Sequence, residues 1–120
     1  MTGGKVERLR RRREYKSAYA NGVKVVGRYV VLFVWNHGEG RSRYGVTATR
    51  RFGGAVQRNR ARRRLRELAR LHWQQIDRLE ADVVVNVRRG CQDVAWPELE
   101  ADYLKCLKRV ASRLPAREPS

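Results

Sequence analysis

An arginine-dense segment in the middle of the chain offers the clearest chemistry. Residues 55–71 read AVQRNRARRRLRELARL, with six arginines in the first twelve positions and no acidic residue before Glu67. Like charges three and four residues apart destabilise a helix by about 0.2–0.5 kcal/mol per pair, and cations near a helix N-terminus oppose its dipole. We therefore expect an external anion to neutralise this segment.

Helical periodicity divides the segment into an apolar face and a basic face. The apolar stripe, which a sheet would bury, contains Ala61, Leu65, Leu68, Ala69, His72 and Ile76. The opposite face contains Asn59, Arg63, Arg66 and Arg70. Arg58 falls on the apolar side, but so near the helix start that it could project past the sheet edge beside Gly53 and Gly54, where free backbone N–H groups would also attract phosphate. A charged face is often only solvated, but solvated faces usually mix signs, so we interpret this face as a binding surface.

The sequence shows no catalytic constellation. His37 lies in a predicted turn and His72 on the apolar stripe, without a cysteine, serine or carboxylate at a spacing that implies a site. Asp77, Glu80 and Asp82 cluster near a predicted helix end, where a solvated loop is a simpler explanation than a metal centre. The two cysteines lack metal-ligand spacing and are expected to be reduced. We predict a chain that binds, with no catalytic residue and no metal site of its own.

Composition narrows the class of partner. The 120 residues include 28 lysines and arginines against 12 aspartates and glutamates, which gives a net charge of +16. Such a field favours a polyanion, with nucleic acid as the first candidate and an anionic membrane as the second. No run approaches the roughly 18 apolar residues of a membrane span, and the first residues lack a hydrophobic segment for secretion. We expect a cytoplasmic protein with no membrane partner.

The elements that must position the arginines follow from periodicity and turn residues. The length is typical of one domain, residues 1–120. Residues 1–13 and 115–120 are polar or basic and are expected to be disordered. The predicted elements are a helix over 13–22, a strand over 23–35, a strand over 43–49, a helix over 55–76, a strand over 81–89 and a helix over 97–114.

The arrangement of these elements predicts an α+β sandwich of sheet and helices. The strand over 23–35 is apolar on both faces, so we expect it inside the sheet. The turn residues after it predict a hairpin with the strand over 43–49. Strand, helix and strand in succession around residues 55–76 predict a parallel strand pair.

The stretch RRFGGAVQRNRARRRLRE, residues 50–67, closely resembles the arginine-rich motif of the protein subunit of bacterial ribonuclease P. In that motif a basic pair, a glycine, Ala-Val and then Arg-Asn-Arg lead into a helix with further spaced arginines. The resemblance extends over about residues 8–113. It implies an α-β sandwich with a central sheet of about four strands, three helices and a left-handed βαβ crossover.

The resemblance also implies an activity. The family belongs to a ribonucleoprotein endonuclease that removes the 5′ leader from precursor tRNA, and its large RNA is the catalyst. The implied partners are the catalytic RNA and precursor tRNA, with one protein per RNA. The protein alone is then inactive and binds no cofactor, while the RNA-containing holoenzyme requires Mg²⁺.

Two sets of site residues are implied. Contacts with the catalytic RNA are expected from Arg50, Arg51, Arg58, Asn59, Arg60, Arg62, Arg63, Arg66 and Arg70. Tyr15, Tyr19 and Phe33 match aromatic positions of the family's central cleft, where the single-stranded leader runs. The residue pattern alone favours core packing for these rings, and the resemblance reverses that preference. The family often has Phe at positions 15 and 19, so the leader preference can differ.

Two other classes of protein are compatible with parts of the pattern. A ribosomal or general RNA-binding protein would share the charge, but it does not require Arg-Asn-Arg entering a helix after Gly-Ala-Val. A protein-only nuclease would need clustered carboxylates for metal-assisted hydrolysis, and none cluster convincingly.

Overall fold

The computed structural model describes residues 7–37 and 41–114. The elements in this part of the chain are α1 (Arg12–Asn21), β1 (Val23–Val26), β2 (Val30–Trp35), β3 (Arg43–Thr47), α2 (Ala55–Leu71), α3 (Trp73–Asp77), β4 (Asp82–Val87) and α4 (Trp96–Arg113). No helix in this part is long and apolar enough to cross a membrane.

The four strands form one mixed sheet in the order β1-β2-β4-β3. β1 and β2 pair antiparallel, β2 and β4 pair antiparallel, and β3 and β4 pair parallel. The α+β class, the inner position of β2 and the parallel pair around α2 are therefore confirmed. The predicted hairpin between β2 and β3 is wrong, because β4 lies between them.

The single strand predicted over 23–35 is divided by a turn. The Asp102 carboxylate of α4 accepts hydrogen bonds from the backbone N–H groups of Arg28 at 3.0 Å and Tyr29 at 2.8 Å. Gly27 N–H donates to the Val30 carbonyl at 2.8 Å and closes the turn. The apolar run is thus a hairpin of β1 and β2, because a distant carboxylate stabilises a turn that the apolar pattern conceals.

The helix predicted over 55–76 ends at Leu71 and restarts as α3. The break at His72 turns Trp73 into the core, where 6% of it is exposed. The predicted stripe is buried at Ala61, Leu65, Leu68, Ala69 and Ile76. His72 does not belong to the core, since its Nε2 lies 2.7 Å from a Glu100 carboxylate oxygen in a half-buried position.

The two faces of the sheet are covered unequally. On one face, side chains such as Leu32 and Val85 pack with α2, α3 and α4 in the main core. On the other face, Leu9, Ala18 and Val84 are buried, with Tyr15, Phe33 and Trp35 packed around them. The second face is covered by α1 over only part of its area, because Val26 of β1 is 49% exposed.

The expected disorder of residues 1–13 is wrong for residues 7–13. Tyr44 N–H donates to the Glu7 carbonyl at 3.0 Å, and Leu9 N–H donates to the Tyr44 carbonyl at 2.9 Å. Leu9 is only 5% exposed. This segment supplies hydrogen bonds to the edge strand β3, which would otherwise present unpaired backbone groups. The remaining residues of the two predicted tails, 1–6 and 115–120, lie outside the described residues.

Candidate nucleic-acid interface

The start of α2 has the properties of an anion-binding helix end. Gly54 is its N-cap residue, and within the described chain no side chain caps the helix and no acidic residue lies in its first turn. Backbone N–H groups of the first turn have no intrahelical acceptor, and the helix dipole adds positive potential there. The helix end therefore attracts an anion independently of the arginines.

The predicted basic face is exposed. It consists of Asn59, Arg63, Arg66 and Arg70, all of them exposed in the structure, and Arg60, a further predicted RNA contact, is exposed as well. Arg50 and Arg51 are exposed in the turn before the helix, which the Phe52 N–H closes through the Thr49 carbonyl at 3.0 Å. Arg70 forms an exposed ion pair with Glu67, with 2.6 Å between Nη2 and Oε2. Arg70 thus has a partner within the chain.

Arg58 and Arg62 are half-buried and bonded within the protein. Arg58 Nη1 donates to the Gly53 carbonyl at 3.0 Å. Arg62 Nη1 donates to Asn59 Oδ1 at 3.3 Å and Nη2 to the Ala48 carbonyl at 3.4 Å. Their guanidinium groups hold the loop before α2 and keep further N–H donors for a ligand, since guanidinium has five.

Arg64 is a structural arginine. Its Nη1 donates to the Cys91 carbonyl at 2.8 Å, its Nη2 donates to the Val94 carbonyl at 2.6 Å, and its guanidinium lies 5.7 Å from the Trp96 ring centre. The density of arginines in α2 therefore has two causes, since this one ties the helix to the loop between β4 and α4.

Arg8 also belongs to the basic surface, although the sequence pattern did not indicate it. Arg8 lines a cleft of about 460 Å³ together with Arg63, Arg66, Glu67 and Arg70. Four cations surround one carboxylate there, and that carboxylate already pairs with Arg70. The apolar Leu9 beside Arg8 was a weak sequence signal that this position is ordered. We name Arg8, the arginines of the turn before α2 and the arginines of α2 other than Arg64 the arginine surface.

The three predicted aromatic residues lie together on the open side of the sheet. Tyr19 packs edge-on against Phe33, with ring centres 4.7 Å apart and an angle of 89°. Tyr19 is 38% exposed, and Tyr15 and Phe33 are half-buried. Lys24 Nζ lies 5.7 Å from the Phe33 ring centre. The rings both pack on the sheet and present area to solvent, so core packing and ligand binding are compatible.

Polar groups that the sequence pattern did not indicate lie beside these rings. The Tyr19 hydroxyl donates to Asn86 Oδ1 at 3.0 Å and lies 3.3 Å from Thr47 Oγ1. Asn86 is in register with Val31 on one side and Thr47 on the other. Strand alternation puts Thr47 and Asn86 on the same face of their strands, but only the order of the strands in the sheet makes them neighbours. We name the rings and this row of the sheet the aromatic groove.

The arginine surface and the aromatic groove meet at the edge strand β3. A cleft of about 150 Å³ is lined by residues of both, including Tyr15, Gly45, Arg62 and Arg66. Burial is the main reason why the pKa of Tyr15 lies above its ordinary value. The Tyr15 hydroxyl is therefore neutral at physiological pH and can act as a hydrogen-bond donor. One continuous surface joins stacking rings to a cationic helix.

No group of three or more His, Cys, Asp and Glu side chains in residues 7–37 and 41–114 is arranged to hold a metal ion. Both cysteines are buried and free of disulfide bonds. Burial raises the pKa of Cys91 to about 12, so this thiol is protonated and unsuited to nucleophilic or metal chemistry.

Known proteins are similar to this chain in sequence and in fold. The family model Ribonuclease P matches residues 4–111. The Ribonuclease P protein component of Symbiobacterium thermophilum is 42% identical over 107 residues, which cover 88% of this chain and 92% of the relative. That of Finegoldia magna is 33% identical over 106 residues, with 88% and 92% covered. The solved RNase P protein from Thermotoga maritima has a TM-score of 0.76 at 30% identity, covering 87% of this chain and 97% of that structure.

Proposed function

The chain belongs to the ribonuclease P protein family, and on that premise we propose that its arginine surface binds the catalytic RNA while its aromatic groove binds the 5′ leader of precursor tRNA. The protein is the subunit of an endoribonuclease that processes the 5′ end of tRNA, and its partner is the ribonuclease P RNA. The cleft that the two surfaces share at Tyr15, Arg62 and Arg66 is the observation that supports this division most directly.

The arginine surface suits a folded RNA. Its charged side chains are all positive from the turn before α2 to Arg66, and all of them except Arg58 and Arg62 are exposed. Bound phosphates would therefore relieve the repulsion that destabilises the helix alone. Guanidinium groups contact phosphate through two donors at once. The nine predicted residues are retained as the proposed contacts, with Arg8 added. Arg58 and Arg62 would contact RNA while also ordering the loop.

The aromatic groove suits a single strand. Unpaired bases stack on exposed rings irrespective of their identity, at about 1–3 kcal/mol per base, and Lys24 beside Phe33 can contact the strand's phosphates. A leader that follows the groove towards β3 would lead to Tyr15 and then to Arg62 and Arg66 of the arginine surface. Leader and catalytic RNA would thus be held side by side.

The proposal also covers the cofactor, the metal requirement, the stoichiometry and the location of the complex. The protein binds no cofactor, Mg²⁺ is required by the RNA-containing holoenzyme, one protein joins each RNA, and the complex works in the cytoplasm without a membrane partner. A catalytic RNA makes protein carboxylates unnecessary for the chemistry.

Reconstitution tests the function directly. We expect precursor tRNA to be cleaved by protein and ribonuclease P RNA together at low Mg²⁺, under conditions where neither alone is effective. The advantage from the protein should shrink as Mg²⁺ rises, because the ion then screens RNA–RNA repulsion itself. The measurement is the single-turnover cleavage rate across a Mg²⁺ series. Cleavage by the protein alone that disappears in Asp77→Asn would contradict the proposal and favour a protein nuclease.

The salt dependence of RNA binding tests the arginine surface. Replacing Arg63 and Arg66 with alanine should flatten the slope of log affinity against log salt by about one unit for each phosphate that is no longer bound. The matched control is the pair Lys108→Ala and Arg109→Ala, which removes two exposed charges from α4 and should alter the slope far less. An unchanged slope in the α2 variant, with folding intact by circular dichroism, would remove this face from the binding surface.

A further inference from the structure

Helix α1 packs on β2 and β4 and reaches the neighbouring edge strand β3 through its side chains. Three residues on the same face of β3 each contact a residue of α1. Arg43 Nη1 donates to Glu14 Oε2 at 2.7 Å. Gly45 lies under the Tyr15 ring, and Thr47 Oγ1 lies 3.3 Å from the Tyr19 hydroxyl. The two tyrosines of the aromatic groove are thus placed by the strand beneath them.

Arg43 connects α1 to the beginning of the inner strand β4. Its Nε donates to Asp82 Oδ1 at 2.9 Å and its Nη2 to Asp82 Oδ2 at 2.8 Å. The Asp82 side chain is 1% exposed, that of Arg43 31% and that of Glu14 18%. The guanidinium is planar, so two bonds to Asp82 leave Nη1 with one fixed direction, and Glu14 lies in it. Asp82 therefore determines where Glu14 sits.

Glu14 in turn holds the beginning of α1. Its Oε1 accepts hydrogen bonds from the backbone N–H groups of Arg10 at 2.8 Å and Arg11 at 2.9 Å. The bond from Arg11 is the main reason why the pKa of Glu14 lies below its ordinary value, and the charge of Arg43 adds to it against the opposing effect of burial. One carboxylate thus caps the helix with one oxygen and binds the sheet with the other.

Gly45 fixes the height of α1 above the sheet. A Cβ atom there would overlap the Tyr15 hydroxyl and ring. The ring can approach the strand backbone only because position 45 has no side chain. The ion pairs of Glu14 set the direction of α1. The packing of Tyr15, the next residue, on Gly45 sets the distance between α1 and the sheet.

We propose that the chain of ion pairs from Asp82 through Arg43 to Glu14 positions the rings of Tyr15 and Tyr19, and so sets how strongly the holoenzyme prefers tRNA that carries a leader. The three residues are positioning residues that do not touch the leader. This inference rests on the proposed leader-binding role of the aromatic groove.

Glu14→Gln tests the link with little change of shape. The amide oxygen can still accept the Arg10 and Arg11 N–H groups, while the amide nitrogen would face Arg43 as a second donor. The holoenzyme should bind precursor tRNA roughly three- to tenfold more weakly, up to the loss of one stacked base, with mature tRNA and the ribonuclease P RNA bound as before. Arg43→Lys should give the same selective loss, because an ammonium group cannot bridge both carboxylates as the fork does.

Asp102→Asn is the matched control. Asp102 also accepts two backbone N–H bonds, but in the turn between β1 and β2. Asp102→Asn should lower the melting temperature without changing the ratio of the holoenzyme's affinities for precursor and mature tRNA. In a Tyr19→Ala background, Glu14→Gln should weaken precursor tRNA binding less than it does in the wild type, because one of the two rings that Glu14 positions is absent.

Two results would overturn the inference alone. One is a preference for precursor tRNA that survives Glu14→Gln while Tyr19→Ala removes it. The other is equal weakening of precursor and mature tRNA by Glu14→Gln, which would indicate a general structural role. A wild-type holoenzyme without any preference for the leader, or a preference unaffected by Tyr19→Ala, would overturn the proposed groove and this inference with it.

Discussion

A holoenzyme carrying Phe33→Ala is expected to bind precursor tRNA about tenfold more weakly and mature tRNA with unchanged affinity. Phe33 is at the centre of the aromatic groove, in contact with Tyr19 and close to Lys24. Mature tRNA has no leader, so removal of a stacking platform can affect only the precursor. Tyr15→Ala should have the same selective effect.

The competing expectation is that these rings serve only as core. Each truncation would then cost about 3–5 kcal/mol of stability, impair assembly with the RNA and weaken both tRNAs alike. Measuring both affinities and the melting temperature separates the two roles. Tyr29→Ala is a suitable control, since Tyr29 is half-buried against the main core. Its truncation should not change the ratio of the affinities for precursor and mature tRNA. Equal weakening by Phe33→Ala would exclude the groove.

Replacing Arg43 with methionine should lower the free energy of unfolding by about 3 kcal/mol, the lower end for a broken buried ion pair. The change leaves the carboxylate of Asp82 buried, with His37 Nε2 at 3.2 Å beside it. We choose the lower end because about a third of the Arg43 side chain contacts water. Urea denaturation with a constant slope gives the difference.

Arg70→Met is the comparison for this second prediction. It removes the same kind of ion pair, but the Arg70 and Glu67 side chains are 63% and 46% exposed. Water and salt screen such a pair, so the free energy of unfolding should stay close to the wild-type value. If Arg43→Met were as harmless as Arg70→Met, the buried network would not hold the fold together.

Local pattern was sufficient for α2, for α4 and for the apolar faces of β2. Their side chains repeat at helix or strand spacing, and this period does not depend on distant residues. The pairing of β2 with β4 could not be predicted from local pattern, because nearly fifty residues of chain separate the two strands. The turn residues after β2 favoured pairing with β3 instead. The turn at Gly27 was hidden for the same reason, since Asp102 stabilises it from α4.

The candidate site, like the fold, was predicted in part from the sequence. The exposed arginines followed from the charge and period of α2, and the three rings came from the family resemblance. Arg8 was missed because a basic segment with a single leucine gives little sign of order. Thr47, Asn86 and Arg43 were missed because each gains its role from a neighbour in another strand. The distinction between Arg64 and the binding arginines likewise depends on a loop that packs beneath it.

The position of β4 has a consequence for a growing chain. Every residue assigned to RNA or leader in the sequence lies before residue 71, yet β4 begins at Asp82 and separates β2 from β3. During synthesis the chain therefore holds all of these residues before it holds the strand that brings them side by side. Sheet closure waits for contacts between distant segments, which slows folding. Recognition of RNA should consequently arise late, when β4 inserts into the sheet. A nascent chain released before β4 is made would carry nearly the same net charge as the finished protein but would lack its selectivity.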